Sequence, residues 1–202
     1  MPDQRSALAA VYRPGRIGTR EGAAGVAIHE RLGRTLVQVS GWPGGFDPTC
    51  RKLEALCNCR MPHDGRTAVS EGMRSIFRVA PERLWLAGPE DDETLRRLDE
   101  SALGPDAVVT EIGHSRTVVR VTGAGARGLL NRGLPIDLDA AVFPADAFAQ
   151  SVIHHIPVLV HRVPPAGDNV FDVYVTSDYA VSFWEWLTEA AQSFGGEVGK
   201  PE

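Results

Sequence analysis

Three cysteines fall within ten residues, at Cys50, Cys57 and Cys59, and His63 follows just downstream. Thiolate sulfur and imidazole nitrogen are the donors zinc favours, so the cluster holds enough soft ligands for a small metal-dependent enzyme. Its spacing is none of the usual zinc patterns, and no second C-x-x-C completes a set of four. Cys50 and Cys57 stand seven apart, which on a helix puts both on the face of Leu53. That face is read more simply as a small apolar stripe turned to a core. An odd, clustered set of thiols also fits a reducing compartment better than a disulfide scaffold.

A second chemical signal is Gly123-Ala-Gly125-Ala-Arg-Gly128. It matches the G-x-G-x-x-G of dinucleotide-binding folds, follows a strand-like run and opens a helix. The context then fails, because the helix is stopped after about two turns by Gly133 and Pro135, and no second strand ending in an acid follows at about 20 residues. Glycines in a tight strand-to-helix turn account for the motif. His154, His155 and His161 lie in or beside one strand-like run, and adjacent residues of a strand face opposite ways, so the first two cannot share one ion without a bulge. His114 stands on a loop, open to a ligand or a partner. Asp91-Asp92 opens a helix and is explained by its dipole. No G-x-S-x-G, H-E-x-x-H or P-loop is present. Trp184 is read as core, whereas Trp186 and Tyr179, with Trp42 and Trp85, suit a second packing layer or a subunit contact.

The elements that position these residues come from an internal repeat. Arg34 to Gly41 reads R-T-L-V-Q-V-S-G and Arg116 to Gly123 reads R-T-V-V-R-V-T-G, five of eight positions being identical. Val37 and Val39 alternate with Gln38 and Ser40, as Val119 and Val121 do with Arg120 and Thr122, which is the period of a half-buried strand. A short helix follows each copy, over Cys50 to Cys57 and over Ala126 to Arg132. Two strands are predicted next in each half: Ser75 to Ala80 and Arg83 to Ala87, then Ala149 to Arg162 and Val170 to Thr176, with a turn across residues 164–169. A helix closes each half. The first has acids at Glu90 to Glu93 and Leu95, Leu98 and Ala102 on one face. The second is capped by Ser177 or Asp178 and carries Ala180, Phe183, Trp184, Leu187 and Ala191. An extra strand, Ala107 to Ile112, lies near the join.

The predicted fold class is therefore α+β: duplicated strand-helix-strand-strand-helix units forming antiparallel sheets with helices on one face. The predicted layout is an N-terminal arm over 1–25, a first half over 26–105, a second over 106–192 and a flexible tail over 193–202. The arm is expected either to lie on a partner or to be disordered. The 202 residues include 21 Lys and Arg against 26 Asp and Glu, a formal net charge of -5, which argues against general affinity for nucleic acid or anionic membrane. The first eleven residues have no apolar run of the signal-peptide kind, and no stretch is long enough to span a bilayer, so a cytoplasmic location is expected.

One stretch ties the repeat to a known family. Glu111-Ile-Gly-His-Ser-Arg-Thr-Val-Val-Arg-Val-Thr-Gly123, with Ala126-Arg-x-Leu-Leu130, resembles the D-L-S-x-x-x-x-L-x-V-x-G-x-x-A-x-x-L-L signature of the aminomethyltransferase fold. Gly133-Leu-Pro-Ile-Asp-Leu138, Val142-Phe-Pro144 and Phe148-Ala-Gln150 look like the gamma subunit of heterotetrameric sarcosine oxidase, as do Phe171-Asp-Val-Tyr-Val175 and Phe183-Trp-Glu-Trp-Leu187. Val79-Ala-Pro-Glu-Arg-Leu-Trp-Leu86 is similar to that family's G-P-x-x-W-L region. Glu111 replaces a usual Asp, and the cysteine cluster matches no family feature.

The resemblance implies a subunit without catalytic, cofactor-binding or metal-binding residues of its own. Its complex would demethylate sarcosine or a related N-methyl amino acid oxidatively and pass a one-carbon unit to tetrahydrofolate. FAD, FMN, NAD and zinc would be carried by the alpha, beta and delta partner subunits. A free-standing folate-binding protein of the same fold and a Cys/His metal enzyme are the competing readings. The K-G-C-Y-x-G-Q-E motif of the iron-sulfur-repair relative is absent.

Overall fold

Both copies of the repeat strand, in which valines alternate with polar residues, lie inside a sheet in the computed structural model, which describes residues 6–18, 23–164 and 169–202. After hydrogen-bonded turns over 8–12 come β1 (Gly15–Ile17) and β2 (Val26–Glu30). The middle of the chain forms β3 (Arg34–Gly41), α1 (Phe46–Cys57), β4 (Val69–Glu71), β5 (Arg74–Ala80) and β6 (Arg83–Pro89). Two one-turn helices, α2 (Glu93–Arg96) and α3 (Glu100–Leu103), lead to β7 (Ala107–Glu111). The remainder forms β8 (Arg116–Thr122), α4 (Ala126–Leu130), β9 (Phe148–Ile153), β10 (Ile156–Arg162), β11 (Val170–Thr176), α5 (Ala180–Ala191) and β12 (Gly196–Val198).

These elements divide into two units. An inserted unit runs from Gly33 to Gly113, and a discontinuous unit joins the chain up to and including Leu32 to His114–Glu202. The inserted unit holds a five-stranded sheet in the order β4-β5-β6-β3-β7, and the discontinuous unit a seven-stranded sheet in the order β1-β12-β2-β8-β11-β10-β9. Five strands correspond one to one, β4 with β9, β5 with β10, β6 with β11, β3 with β8 and β7 with β2. The strand preceding each repeat copy therefore pairs with the other copy: β2 lies antiparallel to β8, and β7 antiparallel to β3. The predicted boundaries at 26 and 106 would have kept each strand with its own half. Both edges of a strand inside a sheet must be hydrogen-bonded, and tertiary pairing rather than chain order decides by what.

Each unit buries its own apolar cluster. In the inserted unit Val37 and Val39 of β3 meet Phe46, Leu53 and Cys57 of α1 with Leu84 and Leu86 of β6. In the discontinuous unit Val119 and Val121 of β8 and Phe171 and Val173 of β11 pack with Leu129 and Leu130 of α4 and Phe183, Trp184 and Leu187 of α5. Each such side chain contributes roughly 1.5–3 kcal/mol on burial.

Several predicted elements change. The first-half helix breaks in two because Asp99 Oδ1 accepts from Ala102 N–H at 2.9 Å and restarts it, while Asp92 accepts from Leu95 N–H at 3.1 Å to cap the first turn. The long run from Ala149 to Arg162 is a hairpin, turning at His154, whose φ of 55° is left-handed, and at His155. Ser177 and Asp178 do not cap α5; they form a 3-10 turn, and Ser177 Oγ donates to His114 O at 3.1 Å. Of the predicted turn over 164–169, positions 165–168 lie outside the described residues.

The arm and tail also differ from expectation. Leu8 is fully buried and Tyr12 nearly so, both in the discontinuous unit's core, and the Tyr12 ring stacks on Trp184 at 4.7 Å. The predicted tail adds β12 parallel to β2, and Glu202 N–H still donates to Glu30 O at 2.9 Å. Apolar anchors at Leu8 and Val198 offset the cost of ordering these ends. Leu8→Ala is expected to destabilise the chain by about 2–5 kcal/mol, the cost of a core cavity, in chemical denaturation. An arm that lay on a partner would show almost no change.

Candidate functional site: polar rows across two sheets

The matched sheets carry matched rows of residues. In the discontinuous unit the row runs His29, Arg120, Asp172, His161, in register from β2 through β8 and β11 to β10. In the inserted unit it runs Thr110, Gln38, Trp85, Phe77, from β7 through β3 and β6 to β5. Both central pairs are closed by side chains. Arg120 Nε and Nη2 donate to Asp172 Oδ1 and Oδ2 at 2.7 and 2.8 Å, and Trp85 Nε1 donates to Gln38 Oε1 at 3.1 Å. The two copies share the cross-strand bond and differ in its chemistry, neutral in one and ionic in the other.

The charged row concentrates ionisable groups, yet its members are engaged inside the chain. Burial works against the Arg120 cation, but the Asp172 carboxylate outweighs it and raises the guanidinium pKa. A fork closed on a carboxylate through two hydrogen bonds has those donors already committed and cannot offer them to an anionic substrate. His29 Nδ1 is 3.5 Å from Glu202 Oε1. His161 is fully buried, its Nε2 3.5 Å from Asp146 Oδ1.

Beside the row on β2 stands Glu30, only 2% exposed. Ser6 Oγ lies 2.7 Å from each of its carboxylate oxygens, and its backbone N–H donates to Tyr12 Oη at 3.1 Å. Tyr12 in turn donates to Gly199 O at 3.0 Å. Burial pushes the Glu30 carboxyl above its ordinary range, and Ser6 partly opposes that. A buried acid of raised pKa is the kind of group catalysis uses, but this carboxyl accepts from the Ser6 hydroxyl and, with the Glu30 N–H on Tyr12 Oη, ties the arm to β2. No motif flags a lone Glu in a strand. The signal lies in the repeat, since Glu30 matches Glu111 at the same register.

The predicted sites are placed as follows. Gly123 has φ +105° and a Cβ there would lie 2.6 Å from Gly25 O. Gly125 N–H donates to Gly25 O at 2.9 Å, and the Phe194 ring lies against Gly125 and Gly128. The chain's own backbone and an aromatic ring thus take the space and the donor that a pyrophosphate would need. Cys50 and Cys57 lie in the inserted unit's core with Leu53, Cys59 is half-buried, and His63 is exposed. Burial pushes the Cys57 thiol up to about 11, so it stays protonated and a poor metal ligand or nucleophile. Among the described residues no group of three or more His, Cys, Asp or Glu is arranged to hold a metal ion.

Asp92 does more than open a helix. Arg74 Nη2 donates to its Oδ1 at 2.8 Å and Arg74 Nε to its Oδ2. Burial disfavours that carboxylate, but Arg74 and the Leu95 N–H outweigh it and hold the pKa below the usual value. Trp186 is half-buried within its own unit, against Phe183 at 6.0 Å and edge-on to His154 at 5.9 Å. Trp42 and Tyr179 are exposed, and so are His114 and His155. No helix of the described residues is long and apolar enough to cross a membrane.

The sequence profile described as the GCVT N-terminal domain matches residues 69–199. The chain belongs to the GCVT family. A sarcosine oxidase gamma subunit from Corynebacterium sp. strain P-1 is 25% identical over 178 residues, covering 87% of this GCVT-family chain and 84% of that one. An aminomethyltransferase from Streptomyces coelicolor is 29% identical over 101 residues, 50% of this chain but only 27% of that relative's length. Among solved structures, heterotetrameric sarcosine oxidase from Corynebacterium sp. U-96 contains a chain that superimposes with a TM-score of 0.79 at 22% identity, covering 94% of this chain and 95% of that one. The glycine cleavage system aminomethyltransferase T from Bartonella henselae gives 0.59 at 14% identity, over 87% and 48%. The aminomethyltransferase-like α+β fold implied by the sequence is the fold of this chain.

Two measurements probe these rows. Arg120→Leu strands a buried Asp172 and is expected to cost about 3–5 kcal/mol in urea denaturation, most of it recovered in the double variant with Asp172→Leu. The raised Glu30 pKa gives stability that is complete below the ordinary value of 4.5 and is lost as pH rises through the folded value. Glu30→Gln, neutral throughout, is expected to flatten the Tm–pH profile and to raise Tm at mildly alkaline pH.

Proposed function

We propose that this chain is the gamma-type subunit of a heterotetrameric, flavin-dependent sarcosine oxidase, and that it contributes structure rather than an active site. The reading rests on the span of the likeness: the gamma subunit is matched nearly end to end, whereas the aminomethyltransferase is matched over only a quarter of its length. The features that imitate sites support it, because the glycine loop is filled by Gly25 and Phe194 and the thiols lie in a core.

In this reading the alpha, beta and delta subunits carry FAD, FMN, NAD and zinc, and the one-carbon unit passes to tetrahydrofolate there. The substrate is sarcosine or a related N-methyl amino acid, and the assembly works in the cytoplasm. This chain buttresses the flavin-bearing subunit and helps enclose the path of the imine intermediate.

The test is purification of the tagged chain from its own host under mild conditions. A yellow complex with stoichiometric partner chains and sarcosine-dependent peroxide formation is expected, with the isolated chain inactive. A monodisperse monomer that binds tetrahydrofolate by calorimetry, or turns over N-methyl amino acids alone, would overturn it.

A further inference from the structure

The repeat lets the chain be compared with itself. By their registers on β8 and β3, Val26–Glu30 and Ala107–Glu111 occupy equivalent places. Beyond β2 the sheet continues, because β12 adds in parallel with Gly196 opposite Val26, Glu197 opposite Ala27 and Val198 opposite Ile28. Beyond β7 no strand follows among the described residues, and β7 is the edge of its sheet. One edge is covered in one copy and open in the other.

The open edge has what a guest strand needs. Ile112 N–H donates to Leu36 O at 2.8 Å, and the alternation of an antiparallel ladder then turns the amides of Val108 and Thr110 toward β3 and those of Val109 and Glu111 outward. Ala-Val-Val-Thr-Glu contains neither Pro nor Lys, the residues that commonly blunt an edge. Val108 is 43% exposed, and Trp42, 62% exposed, follows Gly41, the partner of Ala107. Exposed acids, Asp106 and Glu111, flank the strand with no basic residue between them.

We propose that the β7 edge is a docking site for an extended segment of a partner polypeptide, added parallel to β7, apolar at its centre and basic near its ends. Main-chain hydrogen bonds to Val109 and Glu111 supply the affinity, and the acids select the charge of the guest. A second copy of this chain fits poorly. Two-fold pairing of β7 with itself is antiparallel and brings Asp106 toward Glu111 of the other copy, which places like charges opposite. The inference stands on the repeat and does not depend on the oxidase reading.

The test uses the full chain and a fluorescent peptide, acetyl-Lys-Val-Thr-Ile-Thr-Val-Lys-amide. Saturable binding is expected, with amide exchange slowed at Val109 and Glu111 in NMR. Alternate N-methylation of the peptide backbone, or Val108→Lys with Thr110→Lys in a chain that keeps its circular dichroism, is expected to weaken binding by more than about tenfold. No saturable binding, protection at the β9 edge instead, or indifference to the two lysines would overturn the proposal. So would a concentration-dependent dimer that protects the same amides, since the occupant would then be a second copy.

Discussion

A central β-strand has two edges whose N–H and C=O groups must both be hydrogen-bonded. In this chain each copy of the R-T-[LV]-V-x-V-[ST]-G strand meets that demand with one neighbour from its own half and one from the segment preceding the other copy. The unit boundaries follow from it. Because β2 completes the sheet of β8 and β7 completes the sheet of β3, the chain divides at Gly33 and Gly113 rather than before each repeat.

The same pairing sets where chemistry can appear. The register puts Gln38 and Trp85 at one place in the inserted unit and Arg120 and Asp172 at the equivalent place in the other. A buried bidentate pair there is costly to break, and the donors it uses are committed to holding β8 against β11. Glu30 repeats the lesson, as its raised pKa arises from burial under the chain's own arm. With these groups engaged, the functional reading rests on the likeness, over most of both chains, to a sarcosine oxidase gamma subunit, and the surfaces of interest become edges rather than clefts.

The ends of the chain illustrate how little local polarity says about order. Residues 6–12 and 196–202 lack the strong periodicity of the central strands, but Leu8, Tyr12 and Val198 are buried in one core. Tyr12 Oη joins the two ends by accepting from Glu30 N–H and donating to Gly199 O. Three apolar anchors and a relay of hydrogen bonds suffice to order segments that composition alone marks as an arm and a tail.

Alternation in the two eight-residue repeats, the apolar stripe of α5 and the helical spacing of Cys50, Leu53 and Cys57 were legible because each is a local pattern whose period matches one element. The family resemblance was legible for the same reason, in short motifs carried in order. The broken helix at Asp99 and the hairpin at His154-His155 were not, since a side-chain cap and a left-handed φ leave little trace in hydropathy. The Arg74–Asp92 and Arg120–Asp172 pairs were beyond reach, because their partners stand 18 and 52 residues apart. Sequence by itself determined the two repeat strands and which face of each is apolar, as side-chain period is a property of the backbone. Only the tertiary structure decided which strand lies beside which, because hydrogen bonds across a sheet do not depend on side-chain identity.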